Sequence, residues 1–304
     1  MQNTACQLVV VGSIGIDTVE TPAERRVEIL GGSASFACVA ASYFTPTAMV
    51  GVVGADFPED YMNLYRRSGV DLEGLQIREG KTFRWSGVYA DNMDNRTTLT
   101  TDLNVLESFS ADIPESYRTM PFLFLGNIQP ALQLHVLDQM QNPKFVMVDT
   151  MDLWINIAHD DLLSVIKRVD LLTVNDSEAR LLTGAPTLKR AAEELLKMGP
   201  RFVLIKKGEH GSMLFSKDGI FILPAYPLEL VSDPTGAGDT FAGAFMGALA
   251  EEGTTDERSL RKAMLLGSVV ASFGVEGFSL DRLQTLSREE ITDRADVLRA
   301  MMSV

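Results

Sequence analysis

The sequence predicts an α/β fold in which a mostly parallel, doubly wound sheet carries helices on both faces and a second, smaller β-sheet lies outside it. Three observations lead there. Short apolar runs alternate with helical patterns along most of the 304 residues. Runs such as Leu8-Val9-Val10-Val11 and Phe122-Leu123-Phe124-Leu125 are apolar at every position, which marks strands covered on both faces. Two polar stretches, 14–30 and 82–101, break the strand–helix rhythm.

Strands are expected at Leu8–Val11, 49–53, Phe122–Leu125, 145–148, 171–174 and 202–205, all too short and too uniformly apolar for surface helices. Helices are expected over 33–44, 59–68, 131–141, 160–167, 176–182, 188–198, 237–251 and 257–273. A further apolar extended run covers 220–230, broken by Pro224 and Pro227. The 82–101 stretch alternates like a hairpin around the polar turn 91–95, and alternation puts Phe83, Trp85 and Tyr89 on one face. With 14–30 it makes the second sheet. Ligands of open parallel sheets bind beyond the carboxyl ends of the strands. A sheet reached from those ends suits a lid over a single domain, 1–304, or a contact in a homodimer.

Composition removes several classes of function. Net charge is −14, from 27 basic and 41 acidic residues, which disfavours nucleic acid or an anionic membrane as partner. No apolar run reaches the length of a membrane helix. Cys6 and Cys38 are the only cysteines, so free thiols and a cytoplasmic location are expected. His135, His159 and His210 are scattered and make no zinc site. Gly80-Lys81-Thr82 ends like a phosphate-binding loop, yet Leu75 stands where that loop needs glycine.

Chemistry is concentrated in Asp233-Pro234-Thr235-Gly236-Ala237-Gly238-Asp239-Thr240. Glycines let backbone approach an anion, and the amides opening the next helix point free N–H groups at it. Asp239 falls among those amides. An oxyanion cradle with a base inside it is what phosphoryl transfer to an alcohol needs. Asp17, after the first strand, can accept hydrogen bonds from two sugar hydroxyls, and Gly31-Gly32-Ser33 opens the next helix. Asn127, after 122–125, falls at the ligand edge of the sheet and is expected to touch substrate.

The 233–240 stretch, with Phe241 and the small residues after it, resembles the C-terminal motif of the ribokinase (PfkB carbohydrate kinase) family. The order Asp17, Gly31-Gly32, Asn175/Glu178, Gly208/Gly211, Gly236–Asp239 matches that family over nearly the whole chain. The resemblance implies a ribokinase-like fold and an ATP-dependent kinase acting on a sugar or sugar-like hydroxyl. It implies Asp239 as base with the amides of Gly236, Ala237 and Gly238 as anion hole. It implies that Asn175, Glu178, Lys206, Gly208, Gly211 and Ser268 serve the nucleotide, with Mg²⁺ near Glu178 and a monovalent cation such as K⁺ near Asp233 and the 274–277 loop. Asp17, Gly31, Gly32, Ser33 and Asn127 would hold the acceptor. The family's simple-sugar kinases often carry Asn where this chain has Ser33 and near Phe36, which opens a nucleoside kinase as an alternative. A non-catalytic nucleotide-binding protein is the third reading. Asn175 to Glu178 also fits a plain helix cap.

Overall fold

A chain whose strands are apolar on both faces must cover both with helices, and the computed structural model, which describes residues 6–93 and 96–303, does so. Asp94 and Asn95 of the expected turn lie outside the described residues. The strands in chain order are β1 (Leu8–Val11), β2 (Gly15–Glu20), β3 (Arg25–Gly31), β4 (Thr47–Gly54), β5 (Val70–Arg78), β6 (Phe83–Tyr89), β7 (Arg96–Asp102), β8 (Phe122–Leu125), β9 (Phe145–Asp149), β10 (Leu171–Asn175), β11 (Phe202–Lys206), β12 (Ser212–Ser216) and β13 (Gly219–Leu223). The helices are α1 (Ser33–Ser42), α2 (Glu59–Arg67), α3 (Pro130–Gln139), α4 (Asp152–Ile157), α5 (His159–Ile166), α6 (Asp176–Thr183), α7 (Leu188–Lys197), α8 (Ala237–Glu252), α9 (Glu257–Gly274) and α10 (Arg288–Met302).

The nine-stranded sheet runs β13-β12-β11-β10-β9-β8-β1-β4-β5. It is parallel from β11 to β5, and β12 and β13 close one edge antiparallel. The chain winds from β1 to β4 and β5 on one side, then restarts at β8 on the other. The switch between β1 and β8 opens a crevice at their carboxyl ends. One apolar layer, with Phe36, Met49 and Phe245, lies under α1, α8 and α9. The other, with Val146, Leu162 and Leu195, lies under α3, α5 and α7.

Small residues set the position of α8. A methyl on Gly243 would stand 2.2 Å from Ala37 O, and one on Gly247 2.7 Å from Ala41 O. The backbones of α8 and α1 therefore touch. Phe245 beside them is fully buried, worth about 2–3 kcal/mol of hydrophobic stabilisation. Alanine at Gly243 would have to separate the helices and so shift the amino end of α8.

The second sheet runs β3-β2-β6-β7. β2 pairs antiparallel with β3 and parallel with β6, while β6 and β7 form an antiparallel hairpin with a bulge at Ser86/Gly87. Its apolar contacts are few: Val19, Tyr89 and Phe278, flanked by Ile29, Trp85 and Met93.

Asp17 lies inside β2, within the 14–30 stretch expected to join the second sheet. Two local differences from the sequence reading have physical causes. The run 220–230 is a strand only to Leu223, where Pro224 ends it by lacking an amide donor. Elements that join the expected set include β5, whose burial alternates, the short helix α4, and α10, whose Ser287–Glu290 capping box starts a helix on the outside of α9.

Candidate active site

The site is built on the amino end of α8. Gly236 caps that helix in the left-handed region (φ 74°), and a side chain there would meet the ring of Phe36 at 2.5 Å. Phe36 is 2% exposed, so the ring cannot yield. Phe36 thus shapes the glycine turn and does not face a ligand. The Ala237 amide donates to Pro234 O at 3.2 Å, while the Gly238 and Asp239 amides have no backbone acceptor among the described residues. Asp239 sits in the first helical turn. Burial pushes its carboxyl up to about 7, Asp149 adds to the rise, and Lys206, Arg96 and its own amide oppose it.

Beside this tip lies a group of charges from three strand ends. Lys206, the last residue of β11, brings Nζ within 3.0 Å of where a methyl on Gly238 would stand. The same Nζ donates to Asp149 Oδ1 at 3.2 Å and Oδ2 at 3.0 Å. Burial alone would lower the Lys206 pKa, but Asp149 and Glu178 outweigh it and hold the ammonium charged. Asn175 and Glu178 form a reciprocal cap on α6: Asn175 Oδ1 accepts from the Glu178 amide at 2.7 Å, and Glu178 Oε2 from the Asn175 amide at 2.8 Å. Glu178 is nevertheless buried, and its carboxyl rises to about 7 through burial first and Asp149 second.

Opposite α8, β2 carries Asp17. Its side chain presses on β3: a methyl at Gly31 would stand 1.9 Å from Oδ2. Oδ1 is buried with no hydrogen-bond partner. The Asp17 carboxyl is raised to about 8, by burial first and then by Asp233 and Asp239, with Arg96 of β7 opposing them. A buried carboxylate oxygen without a donor is costly, so this one is suited to receive a hydroxyl. Tyr89 ties the small sheet to the glycine turn, accepting from Thr235 Oγ1 at 3.1 Å.

Other expected residues are engaged with protein. Gly32 (φ 93°) allows the chain to turn against Ser13 O. Ser33 is buried, accepts from the Ser13 amide at 3.1 Å and pairs with Ser13 Oγ at 3.2 Å, which locks β1 to α1. Asn127 does stand after β8, but Oδ1 accepts from Trp154 Nε1 at 2.7 Å and Nδ2 donates to Met151 Sδ at 3.0 Å. Gly208 and Gly211 adopt positive φ, and the space beside Gly211 is taken by Leu223 O. Ser268 is buried in α9. Asp233 is 1% exposed, with Oδ1 accepting from the Thr235 amide at 2.8 Å and Oδ2 from the Ser279 amide at 3.4 Å. Val275 O accepts from the Ser232 and Asp233 amides, so the 274–277 loop lies against Asp233.

The chemistry-bearing group thus comprises Asp17, Asp149, Glu178, Lys206, Asp233 and Asp239, with Arg96 above it. Asp149 escaped the sequence reading. The available signal was a lone carboxylate ending the apolar run 145–148, at the same sheet edge as Asn175 and Lys206.

Comparison with known proteins identifies the family and the fold. Residues 6–281 match the profile of the pfkB family carbohydrate kinases. A cytidine kinase of Thermococcus kodakarensis is 35% identical over 271 residues, covering 86% of this chain and 92% of that protein. Among solved structures, Arabidopsis thaliana ribokinase complexed with ribose and ATP has a TM-score of 0.77 at 23% identity, covering 96% of this chain and 99% of that one. Burkholderia thailandensis nucleoside kinase in complex with inosine has a TM-score of 0.78 at 21% identity, covering 95% and 97%. These last two share the fold. The family profile spans nearly all the elements described, and with it the chain belongs to the pfkB family of carbohydrate kinases, as a small-molecule kinase on the ribokinase fold.

Proposed function

We propose that the protein moves the γ-phosphoryl group of ATP to a hydroxyl of a ribose-type acceptor, a nucleoside in preference to a free sugar. The observation that carries the transfer reading is the pair of inward carboxylates, Asp17 and Asp239. The Asp239 charge helps to raise the Asp17 carboxyl, with Asp17 on the small sheet and Asp239 at the helix tip. The nucleoside preference rests on the 35% identity to the cytidine kinase over most of both chains. Phe36 does not bear on it, since its ring packs under Gly236.

In this reading Asp17 accepts hydrogen bonds from acceptor hydroxyls and orients one of them toward Asp239. Asp239 takes that hydroxyl's proton as the oxygen attacks phosphorus. The Gly238 and Asp239 amides stabilise charge on the transferring group, each donor being worth about 3 kcal/mol, while the Ala237 amide is held by Pro234 O. The small sheet acts as a lid that excludes water, so that the acceptor and not water is the nucleophile. Glu178 and its neighbours offer hard oxygen donors. These suit Mg²⁺, which takes few carboxylates and keeps water and phosphate ligands, and which when bound would neutralise phosphate charge. Asp233 and the 274–277 loop would take a monovalent cation, checked by titrating activity with K⁺ against Na⁺.

The test is a panel measuring ATP consumption and product with nucleosides, sugars, sugar phosphates and inositols. Nucleosides are expected to give the highest kcat/KM; turnover confined to free sugars removes the preference. Asp239→Asn is expected to fold and bind ATP while losing about 10³-fold or more in kcat. Near-normal turnover by that variant would falsify the base assignment.

A further inference from the structure

We infer that Asp149 is a positioning residue for the transfer, holding the Lys206 ammonium against the tip of α8 so that it meets the terminal phosphate. This rests on the reading above that the nucleotide's phosphates lie at that tip. Asp149 ends β9 at the ligand edge, with its side chain 7% exposed and that of Lys206 18% exposed. Both carboxylate oxygens reach Nζ, at 3.2 and 3.0 Å.

Asp149 is itself braced from two directions. The Thr150 amide donates to Oδ1 at 3.1 Å. Gln133, buried in α3, uses one side-chain amide to bind Gly126 O at 2.9 Å and Asp149 O at 3.2 Å. That bond pins the ends of β8 and β9 together, so Asp149 is fixed by the rigid sheet.

Lys206 needs such an anchor. Its ammonium stands on a flexible stem and is drawn by three carboxylates, Asp149, Glu178 and Asp239. Attraction to Glu178 would carry it toward α6, and attraction to Asp239 would cover the base. The forked contact with Asp149 selects one position, beside Gly238. A buried ion pair contributes little net stability once desolvation is counted, so position is the stronger account of why this one is present.

The experiment is a double-mutant cycle on Asp149→Asn and Lys206→Met, read as kcat, acceptor KM and the ratio of ATP to ADP dissociation constants by calorimetry. Lys206→Met is expected to lose about 10²-fold in kcat. Asp149→Asn is expected to lose about tenfold or more in kcat with acceptor KM within twofold, as for a partner that orients a working group. Both should shrink the preference for ATP over ADP, and the double variant should match Lys206→Met. If Asp149→Asn is too unstable to assay because it strands a buried ammonium, the double variant strands no charge and carries the comparison. A double variant clearly worse than Lys206→Met would show that Asp149 acts on its own, and wild-type behaviour of Asp149→Asn would remove its role while leaving the kinase reading intact. A wild-type protein that neither binds ATP nor phosphorylates any acceptor would overturn both.

Discussion

The two sheets meet at one crevice but are built on opposite terms. In the nine-stranded sheet, β1, β4, β8 and β9 are buried at every residue, and helices cover both faces. In the four-stranded sheet, β7 is exposed along its length and three buried side chains make the core. The large sheet therefore supplies fixed positions: Lys206, Asp149 and Asn175 at strand ends, and α8 wedged by backbone contact on α1. The small sheet supplies Asp17 and Arg96 on a layer that costs little to move. On the proposed reading, phosphoryl transfer falls to the first and capture of the acceptor to the second.

The largest effect should come from disturbing the rigid side. Gly236→Ala places a methyl against Phe36 and forces alanine into the left-handed region, costing about 2–3 kcal/mol. It should also displace the anion hole, with kcat falling about 10²-fold. The opposite end of α8 provides the control. Gly253 has the same backbone hand (φ 67°) and open space beside it. Gly253→Ala should cost about 1 kcal/mol and leave kcat unchanged. Thermal melts and kinetics on the two variants separate backbone strain from misplacement of the site; equal kinetic losses would show that the Phe36 contact does not matter.

Changing the movable side should act on acceptor binding and on pH dependence. Asp17→Asn removes a carboxyl oxygen that accepts from the acceptor hydroxyls, so acceptor KM should rise about tenfold with a smaller change in kcat. Its effect on stability has a definite sign. The Asp17 carboxyl is raised to about 8 in the folded chain, mainly by burial. In the unfolded chain it titrates near 4, at about the ordinary Asp value. Between those limits the folded state binds the extra proton, so this contribution is present at low pH and is lost as pH rises through about 8. Asparagine cannot ionise. In metal-free buffer the melting temperature of Asp17→Asn should gain on wild type between pH 5 and pH 9, and a constant gap would show that the carboxylate is not buried uncharged.

The same contrast explains what could be read from sequence. Strands such as Phe122–Leu125 show themselves because burial on both faces demands apolar residues throughout. The α8 turn shows itself because its constraints are local: Gly236 for the left-handed cap and small residues for contact with α1. β5 is hidden by its mixed burial at a sheet edge. Asp149 is hidden for a different reason. Its meaning depends on Lys206, 57 residues later and two strands away, and on Gln133 in α3. A pair formed across a sheet leaves no spacing to find.

The smallest effect on chemistry should come from the outer side of the small sheet. β7 is its edge strand, exposed throughout, with Leu99 57% exposed; Val27 of β3 is 55% exposed. An open strand edge with apolar side chains is a template for pairing with a second copy. Leu99→Asp should convert a sedimenting dimer to monomer and leave kcat within twofold, since no residue of the helix tip is touched. A variant that stays dimeric moves the interface elsewhere. One that becomes monomeric and loses activity would mean that the movable layer is held in register by its partner, and the line between rigid and movable halves would then run through the dimer and not through the chain.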